Sequence, residues 1–255
     1  RSMISVSEID INFHLLRLFV NNTIEIEHVV LNRPDVRFIN EKETNILNIN
    51  AFIDAITSKM AKDKSTGKSP AFLIDKIDLK NAYFSMNDEL APLIEEGFDH
   101  FHFGFDSIYA DVTDFKIASD TFQINVKGLK CFEIKTKLKL KKINTIMTLT
   151  PKTMEFGKLH AEIGRSIVND SLAFKFDDVT DLADMINKPI IYMNLTRTDI
   201  KSQDLAHFAP YLKRYNETWQ LTGELKGRVK KFKIKKMNLR LGKKTRVEGN
   251  IAFNG

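Results

Sequence analysis

TIEIEHVVLNRPDVRFI, residues 23–39, and FLIDKIDLKNAYFSM, residues 72–86, carry one hydrophobic phrase twice. In the first, Ile24 and Ile26 alternate with polar residues, two polar residues follow, and Val29 and Leu31 resume the alternation. In the second, Phe72, Ile74, Ile77 and Leu79 repeat the pattern, and Phe84 and Met86 answer Val36 and Phe38 at the same offset. Alternation with a period of two marks a strand with one buried face. An extra residue flips that phase, so the apolar face survives only if the chain bulges, turns or starts a new strand there. Ile4-Val6-Ile9-Ile11 and Phe232-Ile234-Met237-Leu239 fit the phrase, and Phe103-Phe105-Ile108-Ala110 and Leu138-Leu140-Ile143-Thr145 are weaker copies. Repeated bulges impose twist and curvature. The fold expected is mainly β with a few short helices: a long curved, strongly twisted, antiparallel-rich sheet forming an open trough with an apolar concave face. Copy spacing is irregular, which excludes a fixed-period solenoid.

Strand patterning extends over 3–12, 23–31, 35–40, 72–79, 82–87, 101–110, 120–127, 132–140, 143–150, 189–196, 217–225, 228–241 and 245–254. Helical spacing predicts helices over 49–61, 179–187 and 203–215, the last with Ser202 as N-cap and Pro210 as a break. AKDKSTGKSP at 61–70 reads as a flexible polar excursion within one elongated segment spanning 1–255.

Composition narrows the function. The 255 residues are 43% hydrophobic and 28% charged, with a net charge of +6. Such a chain folds and attracts anions weakly. Its 19 Phe against 5 Tyr and 1 Trp suit aliphatic partners better than stacked bases. Cys131 is the single cysteine, so an intrachain disulfide is excluded. No stretch reaches the ~18 apolar residues of a bilayer span, and His14–Val20 is too short. Arg1-Ser2 reads as a cloning remnant and the chain as a fragment of a longer protein.

Motifs for chemistry are weak. STGKS at 65–69 ends like a phosphate-binding loop, but Lys62 stands where a glycine is required and Pro70 blocks the following helix. His100 and His102, with Asp106 nearby, lack a third metal ligand. No nucleophile, base and orienting acid share a local signature, so a non-enzyme with no cofactor is expected. Lysines dominate 135–142 and 226–246. They read as the solvated back of a sheet, with an anionic membrane surface and nucleic acid as the alternatives.

Four stretches carry a resemblance. TIEIEHVVLNRPDVRFI at 23–39 and TNILNINAFIDAI at 44–56 resemble the opening strands and helix of the TamB/AsmA-like proteins of Gram-negative envelopes, particularly the Bacteroidetes-type TamB relatives. QDLAHFAPYLK at 203–213 and WQLTGELKGRVKKFKIKKMNLRLGKKTRVEGNIAFNG at 219–255 resemble the recurring glycine unit of that family, here Gly223, Gly227, Gly242, Thr245 and Gly249. The resemblance implies a periplasmic β-taco, a folded trough lined by apolar side chains and anchored to the inner membrane in the full-length protein. It implies phospholipid transport and outer-membrane biogenesis, as part of a translocation and assembly module. It also implies phospholipid acyl chains as ligand and an Omp85-type outer-membrane barrel as a possible partner of the full-length protein.

The groove expected from the shared phase is lined by Ile26, Val29, Leu31, Ile74, Ile77, Leu79, Phe103, Phe105, Leu138, Leu140, Ile143, Phe232, Ile234, Met237 and Leu239. Each buried CH₂ of an acyl chain would gain ~0.8 kcal/mol there. The alternative is a structural or chaperone-like scaffold that binds strands of outer-membrane proteins by edge augmentation. Nucleic acid is not expected as a partner.

Overall fold

The computed structural model describes residues 3–13, 23–43, 47–48, 71–242 and 244–254. The helix expected over 49–61, the excursion at 61–70 with its STGKS, and the apolar run at 14–20 lie outside them. The described residues are mainly β, with fourteen strands and three short helical segments. No helix among them is long and apolar enough to cross a membrane. The chain divides into two compact units, Arg1–Lys137 and Leu138–Gly255.

The first unit contains β1 (Ile4–Ser5), β2 (Glu8–Asn12), β3 (Thr23–Asn32), β4 (Asp35–Asn40), β5 (Ala71–Asp88), β6 (His102–Ala118) and β7 (Thr121–Glu133). The two opening phrases lie side by side. β3 runs parallel to β5, with Ile24 opposite Phe72, Ile26 opposite Ile74, Val29 opposite Ile77 and Leu31 opposite Leu79. β4 continues in the same register, with Val36 opposite Phe84 and Phe38 opposite Met86. The other described pairings are antiparallel, including β2 on β3, β1 on β4, β6 on β5 and β7 on β6.

The interruptions of phase are shared between neighbouring strands. Arg33, Asn81 and Ser107 adopt left-handed conformations, with φ of 51°, 54° and 52°. Arg33 stands between β3 and β4, and the β5–β6 register shifts at Leu79–Ala82 beside Asn81. Pro34 has no N–H to give. The ladder closes around it because Arg33 N donates to Lys80 O and Tyr83 N donates to Pro34 O, each at 2.8 Å.

The second unit is an antiparallel meander of β8 (Lys139–Leu149), β9 (Thr153–Ile163), β10 (Ser166–Lys175), β11 (Ile190–Lys201), β12 (Thr218–Arg228), β13 (Lys231–Leu241) and β14 (Thr245–Asn254). One line of irregularity crosses all of it. Register shifts fall at Asn144/Ile146, Asp170/Leu172, Leu195/Thr198, Thr222/Glu224 and Ile234/Met237. Lys158 and Lys236, both near φ 50°, sit on that line. Bulges free backbone groups from the ladder, and buried ones need partners. Buried Thr145 donates to Gly157 O at 3.0 Å. Buried Asp170 accepts from Thr196 N at 2.7 Å and from Thr198 Oγ1 at 3.1 Å. Asn250 Oδ1 accepts from Lys236 N at 3.0 Å.

Burial raises the Asp170 carboxyl above its usual range, against these hydrogen bonds. A raised carboxyl favours the fold when protonated, and that contribution is lost as pH rises through the folded-state value. Asp170→Asn keeps an acceptor for Thr196 without the charge. At neutral pH this variant is expected to melt no lower than the parent, whereas Asp170→Ala melts well below it. A matching loss in both variants would show that the charge itself holds the bulge.

The sequence pattern misleads at several places. The stretch 132–140 is not one strand: β7 ends at Glu133, and a turn reaches Lys137, whose φ is 61°. Glu133 causes that turn by accepting from Lys135 N at 3.0 Å and from Thr136 N and Oγ1, both at 2.6 Å. The stretch 228–241 is also divided, since Val229-Lys230 turn the chain between β12 and β13, pairing Arg228 with Lys231. β9 and β10 escape the pattern because Gly157-Lys158 and Asp170-Ser171 break their alternation on the bulge line. The helix expected over 203–215 is two pieces, Ser202–Leu205 and the 3-10 turn Pro210–Arg214. Ser202 does not cap it; its hydroxyl donates to Tyr215 O at 2.8 Å and accepts from Glu217 N at 3.0 Å. Of 179–187, Val179–Asp184 forms a 3-10 helix inside a capping box made by Asp178 and Asp181.

Candidate functional site

Apolar residues of β3, β5, β6 and β7 pack as one cluster in the first unit. Val29, Ile74, Ile77, Ala110, Val112 and Val126 are its buried centre, and Ile26, Leu31, Phe72, Leu79 and Phe115 pack against it. The polar steps Glu27-His28 and Asp75-Lys76 therefore separate residues that end in the same cluster. The polar side chains form their own set: Asp78 lies 2.9 Å from Lys76 Nζ and 3.0 Å from His28 Nε2. Hydrogen bonding from Lys76 holds the Asp78 carboxyl below its usual range against burial.

Phe103 and Phe105 face Met86 and Phe84 across β5–β6. They belong to an aromatic chain, with ring centroids 5.1 Å apart for Phe38–Phe84, 6.0 Å for Phe84–Phe103 and 5.7 Å for Phe103–Phe105. Such edge-on and tilted contacts add to area burial alone.

In the second unit Leu138 is buried, Leu140 pairs with Ile163, and Ile143 pairs with buried Ala161. The register shifts between Leu140 and Lys142, at the double lysine step. On β13, Ile234 and Met237 are buried and Phe232 and Leu239 half-buried. Ile234 stands between Leu225 and Ile251, and Leu239 between Leu221 and Val247. Phe232 stacks on Phe253 at 5.2 Å. None of the fifteen expected groove residues is exposed.

Apolar exposure begins at the strands beside them. Ile9 and Ile11 of β2, next to Leu31 and Val29, are 52% and 48% exposed. Val247, Ile251 and Phe253 of β14 are 39%, 42% and 48% exposed. The β14 residues are absent from the expected groove. Their signal was the alternation within 245–254, hidden by Gly249 standing at an apolar place.

No family model, curated protein or solved structure matches this chain. Its reading rests on its own geometry.

The remaining sequence candidates resolve individually. His102 opens β6, with Nδ1 3.1 Å from Asp99 Oδ2 and Nε2 2.8 Å from Asp88 O, while His100 lies outside the strand and stacks near Phe101. Among the described residues no three His, Cys, Asp or Glu side chains gather as a metal site requires. Burial pushes the Cys131 thiol up to about 11, so it is a poor nucleophile at neutral pH. In the lysine stretch, Lys135 bonds Ile94 O and Lys137 lies over Phe132. On the lysine face of β10–β13 a groove of about 900 Å³ opens around Tyr192, Lys226 and Lys233.

Proposed function

We propose that this chain is a non-enzymatic lipid-binding or lipid-conducting segment, of the kind found in AsmA/TamB-like proteins of the periplasm. In this reading the apolar face forms the lining of a trough, and phospholipid acyl chains lie along it. The inner-membrane anchor and any outer-membrane barrel partner belong to the longer protein. What supports the reading is the cluster made by Ile26, Val29, Leu31, Ile74, Ile77 and Leu79. Two phrases with interrupted alternation pair in one register, and their apolar residues stay together across the interruption. Acyl transfer along such a face needs no catalytic group, since each CH₂ gains ~0.8 kcal/mol wherever it is buried.

Native mass spectrometry of the purified chain tests this directly. Phospholipid adducts are expected to co-purify, or to form after incubation with phospholipid vesicles. Phe253→Asp and Ile251→Asp alter exposed side chains, so they are expected to fold normally and carry less lipid. A chain that stays free of lipid under both conditions would overturn the proposal. One observation favours the second reading, a strand-binding scaffold: β14 is exposed along its whole length and pairs with β13. A lipid-free chain that captures β-strand peptides would establish that reading instead.

A further inference from the structure

The lysine face of the second unit holds charges that its own strands oppose. Lys226 of β12 lies directly opposite Lys233 of β13, and Arg228 lies directly opposite Lys231. Like charges in directly paired positions destabilise a sheet. Lys175 and Lys235 flank these pairs: Lys235 pairs with Glu224, and Lys175 pairs with Ile190. Among the described residues none of these six cations forms an ion pair. Two acids border this face: Glu224, which lies opposite Lys235 and is held by Lys236 at 2.6 Å, and Glu155 of β9, which lies opposite Ala173 and is in no described ion pair with Lys175.

The charges surround a concavity. The groove of about 900 Å³ is lined by Ala173, Ile190 and Tyr192 together with Lys226, Arg228, Lys231 and Lys233. That volume lies in the range of small-molecule sites. Tyr192 is central: it pairs with Ala173 on one side and Lys226 on the other. The ammonium groups of Lys175 and Lys226 each lie 5.0 Å from its ring centroid. Cation–π contact of this kind fixes the direction of two long side chains. The groove therefore has a small apolar floor, an aromatic ring that positions two cations, and four further cations at its wall.

We infer that this groove binds a phosphate ester. A phosphoryl group supplies the negative charge the face lacks and accepts several charge-assisted hydrogen bonds. Arg228, whose Nε donates to Lys188 O at 3.2 Å, offers its terminal amino groups to phosphate oxygens. The ester's organic part rests on Ala173, Ile190 and the Tyr192 ring. Bound phosphate also relieves the repulsion between Lys226 and Lys233, so ligand binding and stability are linked. The inference stands apart from the apolar-face proposal, because it uses the opposite side chains of the same strands. The ester is either a lipid headgroup or a soluble molecule.

Both sources are tested with the whole chain. Calorimetry with glycerol 3-phosphate probes the soluble ester. Co-sedimentation with phosphatidylcholine vesicles, with and without phosphatidic acid, probes the headgroup. Saturable binding of glycerol 3-phosphate assigns a soluble ester; binding confined to phosphatidic acid vesicles assigns a headgroup. In either case the double variant Lys226→Gln, Lys233→Gln is expected to lose about tenfold or more in affinity. Its melting temperature is expected to equal or exceed the parent's, since a repulsive pair has gone. The control Lys139→Gln, Lys141→Gln on β8 keeps binding. Failure to bind either probe overturns the inference. So does equal loss in the control, or a groove variant that melts lower and binds as before.

Discussion

Gly227→Ala is expected to destabilise the second unit by about 4 kcal/mol, roughly half from backbone strain and half from collision. Gly227 has φ 152° and faces Phe232 across β12–β13. A Cβ added there would lie 2.4 Å from both Lys231 O and Phe232 Cα. Those atoms are backbone, so no side chain can swing aside. Gly249 provides the comparison, because its φ is 144° and an added Cβ would meet nothing within 4 Å. Gly249→Ala should therefore show the strain alone, about 2 kcal/mol. Urea unfolding followed by fluorescence of Trp219, the single tryptophan, reads this unit because Trp219 pairs with Ile200 and Leu241. Equal losses in the two variants would mean that the close approach of β12 and β13 at Gly227 is absent in solution.

In the first unit, Glu133→Ala is expected to cost about 3 kcal/mol, because several donors lose one shared, buried acceptor together. Glu133 is 2% exposed and bonds Lys135 N, Thr136 N and Thr136 Oγ1. Burial works against its charged form, but hydrogen bonds from Thr136, Lys135 and Gly104 outweigh burial and hold the carboxyl below its usual range. For a lowered carboxyl the stabilisation is present above the unfolded-state value, about 4.3 for glutamate, and is lost as pH falls through the folded-state value. Melting curves across the acid range should thus show a steep loss in the parent and a shallower one in Glu133→Gln. Parallel curves would place the acid sensitivity in other groups, of which buried Asp99 is the first to examine: it accepts from Ile94 N, Phe101 N and His102 N and is likewise lowered against burial.

These two residues also show what the sequence can reveal. The paired phrases at 23–39 and 72–86 were legible because the same interruption occurs in both, and hydrophobic phase is read residue by residue. Glu133 was not legible. An acid among lysines looks like ordinary surface, and only the folded chain shows four donors converging on it. β9 and β10 were missed for a related reason. Their interruptions at Gly157-Lys158 and Asp170-Ser171 match those of neighbouring strands, but the match exists in three dimensions and has no mark along the chain. The lysine face was visible as composition. That Lys226 meets Lys233, with Tyr192 beside them, depends on strand register and on a two-residue turn hidden in a run of basic residues.

The line of bulges across β8–β14 restricts how such a domain can change in length. Each bulge is held in place by the ones beside it, so one residue inserted in a single strand sets that strand out of step with both neighbours. At each shift the extra residue lies in one strand, β9, β11 or β13, and two residues there face one of the neighbour, so a hairpin is a complete unit of the line. Added or removed as a whole, it leaves the line unbroken and the alternation of faces intact. Growth by whole hairpins is therefore the low-cost route open to this architecture, and single-residue length changes are confined to the turns.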